Sequence, residues 1–95
     1  MTQQEREVLQ SAIDEWGKEK QTIVAIEELS ELQKELTKTL RGYDRREGLA
    51  EEMADVYIML RQLGIMYSIS DEAVLSVIDQ KLKRLNQILK GVENY

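Results

Sequence analysis

The stretch KEKQTIVAIEELSELQKELTKTL, residues 18–40, decides how this chain folds. It contains no Pro, and Ala25, Leu29, Leu32, Leu36 and Leu40 recur through it at spacings of three and four. That period belongs to an amphipathic helix, because residues so spaced share one face. Gly42 follows as a stop, in keeping with the frequent glycine just past a helix C-terminus.

Working outward, Gly17 separates this helix from a first one over about Thr2 to Trp16, with Val8, Leu9, Ala12 and Ile13 as its apolar positions. Downstream, a polar connection from Arg41 to Gly48 carries Tyr43, Asp44, Arg45 and Arg46. A third helix is expected over about Leu49 to Tyr67. Leu49, Met53, Val56, Leu60, Leu63 and Tyr67 share one of its faces, and Ile58, Met59, Ile65 and Met66 lie roughly opposite. A helix apolar nearly all round must be covered on two sides. Gly64 inside it marks either a boundary or a kink. The fourth helix starts after Ser70, a good N-cap, places Asp71 and Glu72 in the positive first turn, and runs to about Lys90 before Gly91. The expected fold is all-α: an antiparallel helical bundle of about four helices, one domain over residues 1–95, completed by dimerisation.

Composition narrows the chemistry. The chain has 95 residues with 18 acidic and 13 basic side chains, a net charge of −5, and no Cys, His, Pro or Phe. Absent Cys excludes disulfides, thiolate metal sites and cysteine nucleophiles. Absent His excludes an imidazole base, a Ser-His-Asp triad and the Glu-x-x-His di-iron motif. Side-chain metal ligands must then be oxygens, which suit hard cations such as Mg²⁺, Mn²⁺ or Ca²⁺. The N-terminal MTQQEREVLQ lacks the apolar core of a signal peptide, and no apolar run approaches the ~18 residues of a membrane helix. A cytoplasmic location without membrane partners is the expectation. The acidic total argues against nucleic-acid partners, since no dense Lys/Arg stripe is available to replace counterions.

Two carboxylate motifs stand out. Glu27-Glu28-Leu29-Ser30-Glu31 lies on the second helix and Glu51-Glu52-Met53-Ala54-Asp55 on the third, with twenty residues between Glu31 and Glu52. Glu28 with Glu31, and Glu52 with Asp55, point the same way along their helices, and the four can meet across a helix–helix seam. A single EExxE in so acidic a chain is most often a solvated face. Charge pairing shifts the balance. Glu27, Glu31 and Glu35 form a like-charge i,i+4 column, Glu51 and Asp55 form another, and Leu32 and Val56 follow Glu28 and Glu52 at that spacing. Like charges so placed repel by roughly 0.2–0.5 kcal/mol per pair, and a divalent cation relieves them. Basic residues gather at Arg41, Arg45 and Arg46 and again at Lys81, Lys83, Arg84 and Lys90, with Asp79 as the local acid. The second group is either a solvated basic face or a set of phosphate-neutralising groups.

The paired motifs resemble the EExxE…ExxD signature of the all-α nucleoside triphosphate pyrophosphohydrolases, the MazG-like proteins and their dUTPase and phosphoribosyl-ATP pyrophosphohydrolase relatives. The resemblance takes in Trp16-Gly17 ahead of the first motif, Ala54-Asp55-Val56-Tyr57-Ile58-Met59-Leu60 from the second motif onward, and, more loosely, Asp79-Gln80-Lys81-Leu82-Lys83-Arg84. It implies Mg²⁺-dependent hydrolysis of an NTP or dNTP to NMP and pyrophosphate, with Mn²⁺ as a substitute, in nucleotide-pool cleaning. It also implies a homodimer or dimer-of-dimers tetramer. Carried over, Glu28, Glu31, Glu52 and Asp55 hold the metal and, with Glu27 orienting water, form the catalytic set; Lys81 and Arg84 reach phosphates and Asp79 orients them. Trp16 either stacks on a base or closes the end of a small core. Tyr57 and Tyr67 are expected in the core, and Gln21 is a candidate for reading a base edge. The alternatives are a non-enzymatic helical interaction protein, or a phosphoribosyl-ATP or dUTP-specific relative of the same fold.

Overall fold

In the computed structural model, which describes residues 1–91, the chain is all-α, and no strand occurs among the described residues. The helices are α1 (Gln3–Trp16), α2 (Lys18–Leu40), α3 (Arg46–Met66) and α4 (Asp71–Leu89). Each start has a local cause. Thr2 and Glu5 form a reciprocal capping box on α1, with Glu5 N donating to Thr2 Oγ1 (3.1 Å) and Thr2 N to Glu5 Oε1 (3.4 Å). Ser70 caps α4 by accepting from Ala73 N (3.1 Å), above Asp71 and Glu72 in its first turn. Gly17 serves both as the C-cap of α1 and the N-cap of α2, at φ 90°, a backbone conformation that a residue with a Cβ rarely adopts. The two helices can therefore follow one another with a single residue between them. No helix among the described residues is long and apolar enough to cross a membrane.

α2 and α3 form an antiparallel hairpin, and α1 packs against both. The hairpin seam has a seven-residue register. Gln21, Glu28 and Glu35 on α2 oppose Gln62, Asp55 and Gly48 on α3, in that order. Seven residues are close to two helical turns, so each step returns to the same face. In the outer layer Gln21 Nε2 donates to Gln62 Oε1 (2.9 Å), and Gln62 Nε2 donates to the carbonyl of Leu9 (3.3 Å), which ties α1 to the hairpin. Buried Ala25 and Met59 fill the space beside it.

α4 behaves differently. It makes almost no contact with the other helices, and every residue from Asp71 to Leu89 except Ile88 is exposed. The connection before it folds back on α3. Ile69 N donates to the Gly64 carbonyl (2.9 Å), and the Ile69 carbonyl oxygen lies 2.9 Å from where a Cβ on Gly64 would stand. Gly64 thus lies inside a continuous helix and accommodates a close approach.

Several expectations about faces change. Met59 lies on the buried side of α3, while Met53 and Leu60 face outward, as do Leu29, Leu36 and Leu40 on α2. Tyr57 and Tyr67, expected in the core, are 64% and 45% exposed. Tyr67 sits at the α2 start, its hydroxyl 2.9 Å from Thr22 Oγ1 and its ring 4.2 Å from Lys18 Nζ. The hairpin buries polar side chains where an apolar stripe was expected.

Candidate metal centre

The middle layer of the seam is acidic. Glu28, on α2, faces Glu52 and Asp55, one turn apart on α3, and each contributes a carboxylate oxygen lying within 4.8 Å of the other two. All three are half-buried. The seven-residue register explains the convergence: the same packing that pairs Gln21 with Gln62 brings Glu28 opposite Asp55, and Glu52 follows within one α3 turn.

Three carboxylates so close resist ionisation together. Burial raises the proton affinity of Glu28, and the charges of Asp55 and Glu52 raise it further. Burial does the same to Glu52, followed by the charges of Asp55 and Glu31. None of the ion pairs among the described residues reaches these three groups. Oε2 of Glu52 is buried without a hydrogen-bond partner. A buried carboxylate oxygen with no donor is costly, and either a proton shared within the trio or a hard cation has the chemistry to satisfy it.

The remaining expected residues are distributed around this trio. Glu31 is exposed and pairs with Lys34 (3.2 Å), outside the trio, although its charge is felt at Glu52. Glu27 is exposed beside Glu28. Glu35 is not an unneutralised member of a like-charge column: it accepts two hydrogen bonds from Arg45, at Nε and Nη2, both 2.8 Å, and Lys38 Nζ lies 3.7 Å away. Those i+3 and loop-borne counter-ions are invisible to an i+4 count. Lys81, Arg84 and Asp79 lie on α4, which stands apart from the hairpin, and Asp79 pairs with Lys83 (3.1 Å). Trp16 ends α1, 54% exposed. Gln21, considered for a base edge, is instead buried against Gln62.

Two elements of the seam were not anticipated, the Gln21–Gln62 pair and the Glu35–Arg45 pair resting on Gly48. Their signal was the recurrence of polar residues every seven positions at 21, 28 and 35 on α2, matched on α3 by Asp55 and Gln62 with Gly48 seven residues before Asp55. No protein-family model matches this sequence, and neither curated proteins nor solved structures give a match.

Proposed function

We propose that this chain is a Mg²⁺-dependent nucleoside triphosphate pyrophosphohydrolase that converts an NTP or dNTP to NMP and pyrophosphate, with a role in nucleotide-pool cleaning in the cytoplasm. The observation that carries the reading is the convergence of Glu28, Glu52 and Asp55 around the unpartnered Oε2 of Glu52. Three hard oxygen donors without His or Cys suit Mg²⁺, with Mn²⁺ as a substitute. When bound, such an ion would supply neutralisation of phosphate oxygens and activation of water without an imidazole base.

The residues of the chain divide the remaining work. Glu28, Glu52 and Asp55 hold the cation, and Glu31, which pairs with Lys34 outside the trio, joins them on release from that exposed lysine. Glu27 is the exposed carboxylate nearest in sequence for orienting the attacking water. The water oxygen bonds to the α-phosphorus and gives up a proton to a neighbouring carboxylate or solvent, the bond from the α-phosphorus to the bridging oxygen breaks, and pyrophosphate departs with that oxygen.

The partner we propose is a second copy, in a homodimer or a dimer of dimers. The chain exposes 7646 Å², whereas a compact monomer of this mass exposes about 5,700 Å². Its radius of gyration is 16.5 Å against about 12 Å for a compact domain of this length. The surplus of about 2,000 Å² per chain is what an obligate dimer interface buries. Val74, Leu75, Ile78, Leu82, Leu85 and Leu89 supply apolar surface for it along α4. A partner's α4 is then the source of Lys81, Arg84 and Asp79 at the site, with Trp16 as the residue for a base.

The test is pyrophosphate release from a panel of NTPs, dNTPs and phosphoribosyl-ATP with Mg²⁺ or Mn²⁺, together with E28Q. Release that E28Q abolishes supports the reading, and the substrate profile separates a general from a dUTP or phosphoribosyl-ATP enzyme. No release from any substrate, with no Mg²⁺-dependent rise in melting temperature, overturns it in favour of a non-enzymatic interaction protein built around exposed α4.

A further inference from the structure

We propose that Arg45, held in place by Glu35, is the group that faces the substrate's phosphates, with Lys38 beside it. This rests on the reading of the Glu28–Glu52–Asp55 layer as a cation site for a polyphosphate. That layer lies next to the Glu35–Gly48 layer of the same seam, and Gly48 is one α3 turn from Glu52, about 6 Å along the axis. A phosphate chain attached to a cation in one layer passes the other.

The guanidinium is bound side-on. Nε and Nη2 each donate to Glu35 at 2.8 Å, which uses two of its five N–H groups. The two on Nη1 and the second on Nη2 form the opposite edge, and no partner among the described residues takes them. The side chain is 39% exposed and lines an open cleft of about 760 Å³ with Arg46, Gly48 and Glu51. An arginine fixed on one edge and open on the other has already lost the side-chain freedom that binding costs.

The cleft is also lined by acidic Asp44 and Glu47 besides Glu51, so the phosphate contact is assigned to the open edge of Arg45 rather than to the cleft as a whole. Glu35 is shared by Arg45 and Lys38, so this layer carries one net positive charge directly beside the acidic one. The other arginine of the cleft, Arg46, is engaged by Asp44 at 3.1 and 3.2 Å. A Cβ at position 48 would lie 2.8 Å from Glu35 Oε2 and 3.2 Å from Arg45 Nη2, so the ion pair rests directly on the α3 backbone. The phosphate-facing cation therefore comes from the α2–α3 connection of the same chain, independently of Lys81 and Arg84.

The experiment compares wild type, R45M, R45K and the double variant E35Q/R45M, which leaves no buried charge alone. Mn²⁺ binding is measured first, by loss of the free-ion resonance. Binding of the preformed Mg²⁺ complex of an α,β-imido nucleoside triphosphate is then measured by calorimetry. Loss of a charge-assisted bidentate contact predicts complex binding weaker by about tenfold or more in R45M and E35Q/R45M, and by a smaller factor in R45K. Mn²⁺ affinity is expected within about threefold of wild type throughout. Complex binding unchanged in E35Q/R45M overturns the proposal, and so does a parallel loss of Mn²⁺ and complex binding, which marks a structural role. Wild type that takes up Mn²⁺ and no nucleotide complex overturns it while leaving the cation site standing; wild type that takes up no Mn²⁺ removes both.

Discussion

Along the α2–α3 seam, groups that prefer water are buried and paired with one another: Gln21 with Gln62, Glu35 with Arg45, and between them three carboxylates converging on a space suited to a cation. Along α4 the reverse holds, and residues that avoid water, from Val74 to Leu89, lie exposed. The seam is polar inside because register there must be specified rather than merely cohesive. An apolar stripe tolerates sliding, whereas a hydrogen-bonded amide pair and a bidentate ion pair each fit in one position. α4 carries the opposite information: its surface is cohesive and unspecific within the chain, and its specificity lies in what it meets.

Removing the cohesion of α4 should have the largest effect. If α4 joins copies as proposed, each Leu buried there contributes about 1.5–3 kcal/mol, so L82E/L85E should convert the proposed oligomer to monomer at micromolar concentrations in sedimentation velocity. Were α4 solvated in the functional protein, the same variant would leave the sedimentation coefficient unchanged. On the seam, Q62L strands the amide of Gln21 and removes the tie to the Leu9 carbonyl, and should lower stability by about 1–3 kcal/mol in denaturant titrations. An equal loss from a leucine-to-alanine change on α4 in the monomeric background would erase the contrast between the two regions.

The acidic layer makes a pH prediction whose direction follows from its raised proton affinities. Glu28 and Glu52 bind protons more tightly folded than unfolded, so their contribution is fully present below the ordinary carboxylate range and is lost as pH rises through their elevated folded values. In chelator, stability attributable to them should fall as pH rises above about 4.5, the unfolded glutamate range, and E28Q should flatten that slope. Mg²⁺ should restore stability at neutral pH in wild type and not in E28Q. A stability profile identical for wild type and E28Q, with and without Mg²⁺, would separate these carboxylates from the rest of the seam. The smallest effect is expected at Lys18, whose ammonium sits over the Tyr67 ring: K18M should cost about 0.5–1 kcal/mol and leave both assembly and Mg²⁺ response intact.

What the sequence disclosed depends on which residues punctuate it. The bounds of α2 are those expected, because Gly17 and Gly42 flank it. α3 begins at Arg46, three residues before the expected Leu49, because Gly48, taken for a loop residue, is a helical position against which Glu35 packs. Glu28, Glu52 and Asp55 were legible as a converging set from their one-turn spacing on two adjacent helices. The buried face was less legible. Leu29, Leu36, Met53 and Leu60 carry the strongest apolar period and yet are exposed, pointing away from the seam, since the period marks an apolar face without saying what covers it. Arg45 was legible as part of a basic connection, but its pairing with Glu35 was not, because it reaches Glu35 from outside the helix, where helical spacing has no meaning.

The close approach at Gly64 has a mechanical consequence. α4 spans 19 residues, about 28 Å of rigid arm, anchored where Ile69 folds back onto a helix position without a side chain. A rotation of 10° at that anchor moves the far end by about 5 Å, half the spacing between packed helices. A single methyl group at position 64 would act on the whole arm, selecting which surface Leu82, Leu85 and Leu89 can reach while leaving the carboxylate layer untouched. In the homo-oligomer proposed above, the direction of α4 would be geared to one hydrogen atom on α3, and could be re-aimed without altering any residue of the site.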